Sequence, residues 1–109
     1  MKRVGQVLGI DPARIDEYKH YHAAIWPEIA SAISAAGITN YSIFLKDTTL
    51  FAYFEYTGPE EEYEERMAQL AAAPRMREWW DIMEPMQRPL ATRAPGEWWA
   101  TMEEVFHQD

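Results

Sequence analysis

Three histidines, His20, His22 and His107, are the only side chains in this 109-residue sequence whose ordinary pKa lies close to neutrality. His22 has the most suggestive neighbours. Tyr18 precedes it by four residues and Trp26 follows it by four, so on one helix a phenol, an imidazole and an indole fall in a single row. Such a row could line a pocket and carry general acid–base chemistry on a polar substrate. Periodicity alone favours a plainer reading, a core histidine bonded to a nearby carbonyl. Two features weaken it: Tyr18 and Tyr21 add hydroxyls that a simple core tolerates poorly, and Pro27 frees a carbonyl close by. His20 and His22 resemble a ligand pair, but positions two apart on a helix diverge and cannot grip one ion unless the segment unwinds, so no metal is expected.

The tandem Trp79-Trp80 adds a second signal. Adjacent helical residues diverge by about a quarter turn, so one indole can anchor the core while the other faces a cavity. An indole offers a flat apolar surface to the C–H face of a sugar and an N–H to its hydroxyls, and Tyr18 and Tyr41 offer similar mixed surfaces. Both rings serving only the core or a dimer contact is an equally good reading of the sequence. A second pair, Trp98-Trp99, follows Pro95-Gly96 and is expected at a dimer contact or a pocket rim. There is no Gly-rich phosphate loop, so no nucleotide cofactor is indicated. No serine lies in a nucleophile elbow, and there is no cysteine to act as a thiolate.

These residues need elements to hold them. Arg3 to Ile10 reads as a strand, and Asp11-Pro12 as an N-cap followed by a first helical residue. Ile15, Tyr18, His22, Ile25, Trp26, Ile29 and Ile33 then recur at helical steps up to Gly37, with Pro27 expected to kink the helix beside His22. Ile38 to Lys46 and Leu50 to Thr57 form a hairpin about Asp47-Thr48-Thr49. An acidic helix follows Gly58-Pro59, with Glu60, Glu61 and Glu62 in its first turn, where the macrodipole favours them. Pro74 restarts the helical pattern through Met83; Pro85, Pro89 and Pro95-Gly96 mark an irregular connection; and Ala100 to His107 reads as a closing edge strand.

The order strand, helix, strand, strand, helix, strand predicts an α+β, ferredoxin-like βαββαβ domain over residues 1–109. Two helices would pack on one face of a four-stranded antiparallel sheet. In the second hairpin strand Leu50, Ala52, Phe54 and Tyr56 alternate with Phe51 and Tyr53, so both sheet faces are apolar. A chain this short has little to cover the second face except a copy of itself, which predicts a homodimer packed sheet on sheet. The second choice is a Trp-rich tail folded back over that face. With 10 basic against 18 acidic residues the net charge is −8, which disfavours nucleic acid and anionic membranes and points to a small neutral or cationic partner. Met1-Lys2-Arg3 is not followed by an apolar signal stretch, so a cytoplasmic location is expected.

Three segments in order carry a family resemblance: Tyr18-Lys19-His20-Tyr21-His22-Ala23-Ala24-Ile25-Trp26-Pro27-Glu28, Asn40-Tyr41-Ser42-Ile43-Phe44-Leu45, and Trp79-Trp80. Together they resemble the L-rhamnose mutarotase family, from the first strand to Glu104-Val105-Phe106. The resemblance implies a dimeric, cofactor-free enzyme of ferredoxin-like fold that interconverts the α and β anomers of L-rhamnose. It also implies that His22 is the proton donor and that Tyr18, Tyr41, Trp79 and Trp80 bind sugar. The extra prolines, the Trp98-Trp99 pair and the ending His107-Gln108-Asp109 depart from the family pattern. On this reading protonated His22 donates to the ring oxygen while water, a phenol or a carbonyl assists at the anomeric hydroxyl. The alternatives are a mutarotase for L-fucose or a related deoxy sugar, a cofactor-free oxygenase of the dimeric α/β-barrel type, and a non-catalytic binding module.

Overall fold

The computed structural model describes residues 1–109. In chain order it contains β1 (Lys2–Ile10), α1 (Ile15–Ala23), α2 (Pro27–Ala35), β2 (Ile38–Lys46), β3 (Thr49–Tyr56), α3 (Tyr63–Ala72), α4 (Pro74–Met83), β4 (Gln87–Arg88) and β5 (Ala100–Met102), with single 3₁₀ turns before α1 and α3 and after α4. The architecture is α+β: every strand pairing is antiparallel and the sheet runs β2-β3-β1-β4, with β5 also on β1. No helix is long and apolar enough to cross a membrane.

Alternation along the central strands decides which face the helices cover. Val4, Leu8 and Ile10 of β1 and Leu50, Ala52, Phe54 and Tyr56 of β3 are buried. Leu8, Ile10 and Leu50 pack with Tyr18, Ile29, Met76, Trp79 and Met83 from α1, α2 and α4, while Val4, Ile38 and Phe54 pack against Ile33, Tyr63, Met67 and Leu70 of α2 and α3. The intervening Phe51, with Phe44 of β2 stacked on it at 6.2 Å, belongs to the opposite face and is exposed, at 36% and 59%.

Three differences from the sequence reading are local. The first helix does not kink at Pro27; it breaks. Pro27 has no N–H and its ring forces Trp26 out of the helical region, to φ −62°, ψ 134°, so α1 stops at Ala23 and α2 starts anew with proline in its first turn. The same device separates α3 from α4 at the expected restart, where Ala73 before Pro74 lies at φ −63°, ψ 130°, and each of the two helical units of the βαββαβ order is thus a pair of helices. The last strand spans only Ala100–Met102, pairing with Gly5, Gln6 and Val7, and not the stretch to His107. Finally, the connection read as irregular contains β4, which shares the β1 edge with β5 by pairing Gly9 and Ile10. That approach depends on Gly9, where a Cβ would lie 2.6 Å from the Arg88 carbonyl oxygen.

One backbone irregularity matters for the site. Between Thr39 and Ser42 the β2–β3 register shifts by a residue, and Asn40 sits there at φ 49°. Asparagine tolerates this left-handed conformation better than most residues. The bulge re-aims the strand, so that Ile38 before it and Ile43 after it both contact the helix-covered core despite their opposite parity. It also turns the Tyr41 ring onto Phe54, at 5.4 Å between centroids. The Asn40 amide donates to Glu55 Oε1 at 2.7 Å and so ties the bulge to β3.

Candidate active site

A cavity of about 790 Å³ opens between the sheet and the helices, within the range of small-molecule sites. His22 and Tyr18 from α1, Tyr41 from β2, and Trp79 and Trp80 from α4 all line it, so the five residues singled out in the sequence come together. Trp26 does not join them. The broken helix carries it away, and its ring packs edge-on to Trp79 at 5.2 Å with the Arg75 guanidinium 4.0 Å from its centre, a cation–π contact that supports the wall from behind. His20 is exposed and stands against Tyr21, and His107 pairs with Asp109 at 2.8 Å, so neither lines the cavity.

The imidazole is held on three sides. His22 Nδ1 lies 2.9 Å from the Tyr18 carbonyl oxygen. Because a carbonyl can only accept, Nδ1 carries the proton and Nε2 keeps its lone pair in the neutral ring. The Tyr18 ring stacks on it at 4.2 Å and the Trp79 indole meets it edge-on at 5.5 Å. Nε2 has no protein partner, and every buried polar side-chain atom has one, so Nε2 is accessible, on a residue that lines the cavity. The core-histidine reading and the pocket reading thus describe the two nitrogens of one ring. Burial pushes the His22 pKa below its ordinary value, partly offset by the bond to the Tyr18 carbonyl, and the resting ring at neutral pH is neutral. In that neutral form Nε2 is able to accept a proton.

The phenols are tuned the other way. Burial raises the Tyr18 pKa against a smaller opposing effect of the Gln87 amide. Tyr41 is 37% exposed as a whole residue, yet packing around its phenol pushes its pKa up to about 12, with Tyr18 adding to the shift. Both remain protonated donors at neutral pH. Trp79 is buried in the core while Trp80 is half-buried against it, and both line the cavity.

Sequence reasoning missed Gln87 and left Trp98 at either of two places. Both line the cavity: Gln87 Nε2 lies 3.4 Å from the Tyr18 hydroxyl and Trp98 Nε1 donates to Gln87 Oε1 at 2.9 Å. Trp99 packs on the same helix-side core, so the Trp pair lies at the cavity, while the residues after it reach the other side of β1, where Glu104 pairs with Arg3 at 2.9 Å. No spacing rule connects Gln87 to Tyr18 across 69 positions; only the tertiary β1–β4 pairing does.

Residues 3–108 match the sequence profile of L-rhamnose mutarotase. The chain belongs to the L-rhamnose mutarotase family. Among relatives named L-rhamnose mutarotase, those of Lactiplantibacillus plantarum and Bacillus subtilis are 37% and 35% identical over 111 residues, covering all of both chains. That of Burkholderia cenocepacia is 36% identical over 98% of each chain. The crystal structure of an L-rhamnose mutarotase from Formosa agariphila superposes over all of both chains with a TM-score of 0.77 at 25% identity. A type-II polyketide cyclase, tetracenomycin F2 cyclase of Streptomyces glaucescens, superposes with a TM-score of 0.73 at 17% identity over all of this chain and 98% of the other, a likeness of fold. The rhamnose mutarotase match covers the whole of the α+β unit, including both halves of the cavity.

Proposed function

We propose that the protein is an L-rhamnose mutarotase that opens and recloses the sugar ring by acid–base catalysis at His22. The observation that carries this reading is one imidazole with Nδ1 committed to the Tyr18 carbonyl and Nε2 free in a cavity walled by phenols and indoles. In ring opening the anomeric O1–H loses its proton, C1–O1 becomes a carbonyl, the C1–ring-oxygen bond breaks and the ring oxygen gains a proton. Neutral His22 Nε2 accepts from O1, and the imidazolium so formed can deliver that proton to the ring oxygen, which shares the same carbon. Tyr18 and Tyr41 keep their protons and stabilise developing negative charge by hydrogen bonding. Rotation about C1–C2 and closure on the other face, with the proton steps reversed, give the second anomer. The Trp80 face suits the apolar side of a 6-deoxy sugar.

The sheet order and one-sided helix layer support a ferredoxin-like unit, and the uncovered Phe44 and Phe51 support a homodimer closed sheet on sheet as an α/β barrel. Saturation transfer between the anomeric protons, followed by NMR, tests the activity. L-rhamnose should exchange faster with protein than without, and ahead of L-fucose and D-glucose. Acceleration of L-fucose but not L-rhamnose would shift the substrate, and acceleration of neither would end the reading.

A further inference from the structure

The hydrogen bonds behind Tyr18 have a fixed direction. An indole N–H can only donate, so the Gln87 atom 2.9 Å from Trp98 Nε1 must be the amide oxygen. The other end of the same planar amide is then the NH₂ group, which faces the Tyr18 hydroxyl oxygen. That oxygen accepts, and its own O–H is left to point elsewhere. Tyr18 lines the cavity, where no other side chain claims its proton. At 3.4 Å the amide–phenol contact is long, but a hydroxyl that donates to a ligand becomes a better acceptor, so the chain tightens when its far end is occupied.

We propose that Gln87 is a positioning residue which, oriented by the Trp98 indole, fixes the Tyr18 hydroxyl as a hydrogen-bond donor to an oxygen of the sugar. The proposal rests on the mutarotase reading and extends it to a residue outside the three segments that carry the sequence resemblance. The relay starts in the connection between β4 and β5, which is itself braced. Glu97 accepts from the backbone N–H groups of Ala94 and Thr101, at 3.0 and 3.4 Å, and so holds the segment on either side of Trp98. Tyr18 also supplies the carbonyl that holds His22, so one residue links the rim segment to the proton-transferring ring.

The test measures kcat and KM for L-rhamnose anomer exchange in the full chain, alone and on a Tyr18→Phe background. Gln87→Leu removes the donor to Tyr18, and Gln87→Glu replaces it with an acceptor that draws the phenol proton away from the sugar. Each should lower kcat/KM by about 3- to 10-fold, the loss typical of one hydrogen bond, with Gln87→Glu the more damaging. On Tyr18→Phe neither should change kcat/KM by more than about twofold, because the relay has lost its end. Trp98→Phe keeps an aromatic ring while removing the N–H, and should give a smaller loss that also vanishes on Tyr18→Phe; it carries the test if the Gln87 variants fold poorly. Wild-type rates in these variants, or equal losses with and without the Tyr18 hydroxyl, would overturn the relay while leaving the activity intact. An inactive wild-type protein would overturn the mutarotase reading itself.

Discussion

His22 is placed so that its two nitrogens do different work. Nδ1 is spent on the Tyr18 carbonyl, and this fixes the tautomer and leaves Nε2 as the reactive atom. Burial holds the ring below the ordinary histidine pKa, so the proton-accepting form is full at neutral pH and is lost as pH falls through that depressed value. The exchange rate should therefore be flat above the ordinary histidine pKa of about 6.5 and fall only at lower pH. Anomer exchange measured by NMR across the acidic range checks this; a rate that rises on acidification would show that the protonated ring starts the reaction. His22 and Tyr18 are legible from their helical spacing, and Tyr41 from its motif context, because both signals are local. Gln87 is not, because its partners Tyr18 and Trp98 come from α1 and the rim segment, and a single glutamine among prolines carries no pattern.

The elements succeed or fail with single backbone residues. Sequence patterning located β1 and the β2–β3 hairpin closely, since alternation in Leu50 to Tyr56 maps directly onto burial, but not the short β4 and β5. Pro27 ends the helix rather than kinking it because its ring also holds Trp26 in an extended conformation. Breaking there frees His22 to sit in the last turn of α1 beside the cavity while Trp26 turns to the rear of Trp79. The Asn40 bulge was likewise invisible to a rule that assumes strict alternation. Because Asn40 has φ 49°, Asn40→Gly should lose only the Glu55 hydrogen bond, about 1 kcal/mol, whereas Asn40→Val should cost about 1–3 kcal/mol more through strain at positive φ. Urea unfolding checks the stability difference. The valine variant should also raise KM, because Tyr41 is delivered to the cavity by this bulge; unchanged stability and KM would show that the register shift does not depend on the residue type.

As a whole molecule the chain is an α+β layer with one sheet face covered by its own helices and the other bearing Phe44 and Phe51. A two-sided apolar sheet is legible in the same residues, and the Trp98-Trp99 pair of the tail lies on the cavity side rather than over them. On the dimer reading, Phe51→Glu should shift sedimentation from a two-chain to a one-chain particle, since a charge buried opposite its own copy is strongly unfavourable. A variant that still sediments as a dimer would place the interface elsewhere. Both halves of the account meet in the cavity, where the fold matters only if it presents Nε2 of His22 to an anomeric centre. The most direct measurement is the rate of L-rhamnose anomer exchange with wild-type and His22→Ala protein at equal concentration and matched thermal stability. A fall of about 10²–10⁴-fold to near the uncatalysed rate is predicted, with sugar binding retained; a His22→Ala protein that exchanges anomers as fast as wild type would contradict the account.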